Sequence, residues 1–86
     1  MQRVLGSDRE SYRTMGRVLI KNNTSRAIHI RVTNEGDNGN IHFFDVNSGA
    51  TESWGRLCWQ IATVLRDDNG KTEVFVVKPG EAYTVS

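Results

Sequence analysis

The chain has one cysteine and one proline among its 86 residues. A single thiol, Cys58, excludes an intrachain disulfide, and no Cys/His set has zinc-site spacing. Nucleophilic catalysis needs a nucleophile, a base and a group that orients the base. The only imidazoles are His29 and His42, and Cys58 sits in an apolar run, where a thiol behaves as a small hydrophobe. There is no HExxH motif and no glycine-rich phosphate loop ahead of a helix. These gaps lead to the expectation of a non-enzyme with no metal site and no cofactor. Two oxygen-rich segments, Glu35/Asp37/Asn38/Asn40 and Asp67/Asp68/Asn69, have the donors that calcium takes but not EF-hand spacing. They read as surface turns.

Long apolar runs are missing too. No stretch is long enough to span a bilayer, and no signal-peptide apolar segment follows Met1. A cytoplasmic or unconventionally secreted protein is expected. Formal charge is only +1, but its distribution is uneven. Residues 1–31 carry seven basic and two acidic side chains; residues 32–86 carry four basic and eight acidic ones. Such halves attract an anionic ligand or another copy of the same chain, or else neutralise each other within one fold. The acidic second half and the lack of a nucleic-acid-binding motif disfavour nucleic acid.

What the chain does have is a period of two. Val18 and Ile20 alternate with Arg17, Leu19 and Lys21; beyond Asn22–Ser25, Ile28, Ile30 and Val32 alternate with His29 and Arg31. This predicts a hairpin with one apolar face. Strands are further expected over 41–46, 52–56, 57–66, 72–77 and 82–85. Gly49, Gly70 and the Pro79–Gly80 pair mark the turns. The fold class predicted is all-β: a compact antiparallel β-sandwich of about seven short strands. One domain spans 17–86. Residues 1–16 are expected to be an N-terminal extension, mobile or with one helical turn at the capping-box spacing Ser7–Glu10.

Ile20–Ser25 with the following Ile28/Ile30/Val32 run resembles the opening hairpin of aegerolysins, thaumatin-like proteins and some fungal lectins. The resemblance is confined to residues 20–32. It implies a binding module and carries no functional residue across.

Three surfaces are candidates. Trp54, just past a glycine turn, stands among Glu52 and Arg56, with Asn40, His42 and Asp45 on the strand before that turn. An aromatic ring with hydroxyl-reading polar groups suits a sugar. Arg17, Lys21, His29 and Arg31 would share the outer face of the first hairpin, suited to an anionic ligand or a membrane surface. Leu57–Arg66 and Thr72–Val77 are apolar on both faces. If Trp59, Ile61 and Leu65 face the core, then Cys58, Ala62, Val64, Phe75 and Val77 form an outer patch for a homo-oligomer interface. The expectation is a non-catalytic, self-associating, lectin-like module that binds carbohydrate. The alternatives are anion or membrane-surface binding, or a structural protein-interaction role.

Overall fold

The structure is a computed structural model that describes residues 2–4, 16–34 and 41–86. Eight strands are present: β1 (Gln2–Val4), β2 (Arg17–Asn22), β3 (Ile28–Val32), β4 (Phe44–Val46), β5 (Thr51–Gly55), β6 (Gln60–Arg66), β7 (Thr72–Val77) and β8 (Ala82–Val85). They form two four-stranded sheets, ordered β1-β8-β2-β5 and β4-β3-β6-β7. The described residues contain no helix. The all-β sandwich expected from the period-two runs is therefore the observed architecture. All ladders are antiparallel except β2–β8, which is parallel.

The alternating positions of β2 and β3 bury as expected. Val18, Ile20, Ile28, Ile30 and Val32 are fully buried, and the core continues through Val46, Ala62, Val64, Val77 and Val85. Their arrangement differs from the expected hairpin. β2 pairs with β5 and β8, whereas β3 pairs with β4 and β6. The two strands face each other across the core instead of lying side by side.

Asn22 explains the crossing. Its side chain is fully buried. Nδ2 donates to the carbonyls of Arg26 and Val46, both at 2.8 Å. Oδ1 accepts from Thr24 N at 2.9 Å and Thr24 Oγ1 at 2.6 Å. The full capacity of the amide, two donors and two lone pairs, is used. Its main chain donates to Ala50 O and accepts from Gly49 N. One residue thus fastens both the β2–β3 and the β4–β5 connection, which would otherwise leave buried polar groups unmet.

The glycine turns sort in the same way. Gly49 (φ 81°) and Gly80 (φ 89°) adopt the left-handed conformation that a side chain disfavours. Each lies in a connection that passes from the second sheet to the first. The Asp67–Gly70 turn instead joins the antiparallel neighbours β6 and β7 as a hairpin. Aromatic pairs close the two flanks of the sandwich: Phe44 edge-on to Trp54 at 6.4 Å, and Phe75 tilted against Tyr83 at 5.9 Å.

Within the expected N-terminal extension, Gln2–Val4 pairs with β8 as strand β1. The helical turn at Ser7–Glu10 lies outside the described residues.

Candidate functional site

The sugar-binding constellation is not assembled at the surface. Trp54 is only 4% exposed, since it lies opposite Val18 on the core face and packs on Phe44. Arg56 is buried as well. Its guanidinium donates to three main-chain carbonyls, of Thr33 (2.8 Å), Gly55 (2.7 Å) and Val32 (3.0 Å). A buried cation so engaged holds the end of β3 to the β5–β6 connection and is withdrawn from any ligand. His42, Asp45 and Glu52 are exposed. Asn40 lies outside the described residues.

The four basic residues do not share a face either. With β2 and β3 in different sheets, Arg17 and Lys21 stand on one side of the sandwich and His29 and Arg31 on the other. Arg17 lies along β5, its Nε and Nη2 donating to Ser53 Oγ at 3.0 and 2.8 Å. His29 is held by carboxylates at both nitrogens: Nδ1 lies 2.7 Å from Asp45 Oδ1 and Nε2 3.0 Å from Asp67 Oδ1. Hydrogen bonds to Asp45 first and Asp67 second raise its pKa above the ordinary 6.5. This imidazole is enclosed by negative charge, the reverse of an anion site.

The β6 side chains lie on the opposite faces from those expected. Ala62, Val64 and Val77 belong to the core, and Phe75 is partly buried against it; of the expected interface set only Cys58 is exposed. The outer face instead carries Ile61, Leu65, Val74 and Val76, which are 40%, 38%, 63% and 49% exposed. Periodicity fixes which residues share a face but not which face is inward, and here side-chain size misleads. Ala62 stands directly opposite Phe75, so a small residue beside a large one fills the core layer.

That outer surface has a definite layout. Ile61 pairs with Val76, Thr63 with Val74, and Leu65 with Thr72. Just before β6, Trp59 is 64% exposed, with Lys78 Nζ 4.1 Å from its ring centroid. The neighbouring half of the same sheet face is charged: Arg31 on β3 and the His29–Asp45–Asp67 cluster. At the hairpin turn Arg66 bridges Asp68 (2.7 Å) and Glu73 (2.6 Å). The hydrogen bond from Arg66 holds the Asp68 carboxyl below its usual range. An apolar field on β6 and β7 is thus bordered on the β3 side by Arg31 and by the His29–Asp45–Asp67 cluster. The outward positions of the first sheet are mostly polar or small by comparison: Arg17, Lys21, Thr51, Ser53 and Thr84, with the half-buried Leu19 among them.

Among the described residues, no group of three or more His, Cys, Asp or Glu side chains is arranged to hold a metal ion. No helix there is long and apolar enough to cross a membrane. Compared with models of protein families, with curated proteins and with solved structures, the chain matches none of them.

Proposed function

We propose that this domain is a non-catalytic, self-associating interaction module, with a second copy of the chain docking on the outer face of β6 and β7. The observation that carries the reading is the run of exposed apolar side chains Trp59, Ile61, Leu65, Val74 and Val76. Together they present on the order of 500 Å², toward the upper end of the largest apolar patch a monomer carries, a size that is often functional, against roughly 800 Å² per partner in a standard interface. Charged residues lie beside the field, Arg31 and the His29–Asp45–Asp67 cluster, which suits the polar rim of an interface with an apolar centre. A small domain with a single cysteine, and so no intrachain disulfide, also gains from a partner.

Light scattering over a concentration series tests this. The expected molar mass is at least twice that of the monomer at about 100 µM, a concentration at which an ordinary micromolar contact is largely formed. Ile61→Lys, placed at the centre of the field on an inner strand, should lower it. A wild-type monomer throughout the series overturns the proposal.

Carbohydrate binding is the second reading. With Trp54 buried it rests on Trp59, the exposed indole, whose ring is the platform a sugar would stack on. Retention of the assembled protein on a glycan array, lost in Trp59→Ala, is the result expected of it. A clean array removes it.

A further inference from the structure

We propose that β7 is a pairing edge: β7 of a second copy adds to it antiparallel, across a two-fold axis near Phe75, to make one continuous sheet. This rests on the self-association proposed above and adds to the contact on the outer face a second, main-chain contact at the edge of the same sheet.

The two sheets end in four edge strands, β1, β5, β4 and β7. β1 and β4 span three residues each. β5 is protected along its length. Glu52 lies opposite the core residue Ile20 yet remains exposed, an inward-side charge of the kind that discourages pairing, and Arg17 covers Ser53. β7 has one such device, Glu73 on the inward side opposite the core residue Val64, and that charge is neutralised within the chain. The strand runs six residues, Thr-Glu-Val-Phe-Val-Val, without proline or lysine. Its one charge, Glu73, is drawn to Arg66 of the neighbouring strand.

The ladder shows which groups are offered. Thr33 N donates to Ile61 O, and Arg66 N donates to Lys71 O. Antiparallel bonding alternates along a strand. Residues 61, 63 and 65 therefore bond toward β3, and residues 62, 64 and 66 toward β7. On β7 the amides and carbonyls of Phe75 and Val77 are turned to β6. Those of Thr72, Val74 and Val76 point away from it, and among the described residues no strand lies on that side.

This edge is self-complementary, which favours a second copy over an unrelated peptide. With Phe75 opposite Phe75 of the other copy, Val74 meets Val76 and Val76 meets Val74. These are hydrogen-bonded positions on both strands, giving about four main-chain bonds. The β-branched side chains pair on the outer face, and the two half-buried Phe75 rings meet on the inner one. Glu73 falls opposite Val77 and Lys78 opposite Thr72, so no like charges are juxtaposed. A two-fold axis closes the contact at two copies.

The test is amide exchange read by NMR on the assembled wild-type protein. Val74 and Val76 amides, which point out of the isolated fold, should be protected by at least about a hundredfold and lose that protection on dilution. Val76→Pro removes one outward N–H while sparing the ladder to β6, since proline is tolerated on an edge strand whose N–H faces out. It should halve the molar mass. Should that variant not fold, exchange in the wild type decides alone. Unprotected Val74 and Val76 amides in an assembled protein overturn edge pairing and leave the proposed self-association standing. A monomeric wild type overturns both.

Discussion

His29 joins three segments at one imidazole: its own strand β3, Asp45 of β4, and Asp67 where the hairpin begins. The protonated ring donates from both nitrogens, whereas the neutral ring donates from one and leaves the other facing a carboxylate. The folded-state pKa therefore lies above 6.5, with Asp45 the larger cause and Asp67 the second. A raised folded value means that the stabilisation is complete below the unfolded value, while the carboxylates stay ionised. It is lost as pH rises through the folded value. Urea midpoints for wild type and His29→Gln should therefore differ most near pH 5.5 and converge toward pH 8.5. Parallel pH profiles for the two proteins would show that the clasp contributes nothing. Histidine in a period-two strand reads as one more outward polar residue. Its role depends on residues 16 and 38 positions away, which no local pattern brings together.

At the scale of elements, Asn22 decides topology more than any apolar residue does. Asn22→Ala deletes four side-chain hydrogen bonds. It takes a donor from the Arg26 and Val46 carbonyls and an acceptor from the Thr24 amide and hydroxyl, for an expected loss of about 3 kcal/mol. Asn22→Asp should cost at least as much, because a carboxylate cannot donate to the Arg26 and Val46 carbonyls and repels both. Urea denaturation measures each, and a loss under about 1 kcal/mol for Asn22→Ala would demote the residue from fastener to filler. This also marks where the sequence is readable. Strand positions and the inward faces of β2 and β3 follow from alternation, because the arginine, lysine and histidine residues of each fall on one side only. Asn22–Ser25, Gly49 and Gly80 are legible as turns. Whether a turn returns within a sheet or crosses to the other depends on the partner strand, which lies far along the chain. On β6, Ile61 and Leu65 are apolar like Ala62 and Val64, so alternation leaves the inward face undetermined. Trp54 beside a turn looks accessible until Phe44 of the opposite sheet covers it.

Across the whole molecule, the unequal charge of the two halves is interleaved. β2 of the basic half lies between β5 and β8 of the acidic half, and β3 lies between β4 and β6. Charge attraction is thus spent inside the fold, and the apolar field on β6 and β7 is left as the driving surface for association. That makes stability depend on protein concentration. A domain that unfolds from a dimer gains about 0.7 kcal/mol per chain for each tenfold rise in concentration by mass action, or about 3–5 °C in Tm at this size. Calorimetry on wild type at 10 µM and 100 µM should show that rise. Ile61→Lys, whose exposed position makes it cheap for the isolated fold, should abolish the concentration dependence and show the lower midpoint of the isolated fold at both concentrations. A wild-type Tm that stays constant would mean that the two apolar strands are stable facing water and that the assembly reading fails.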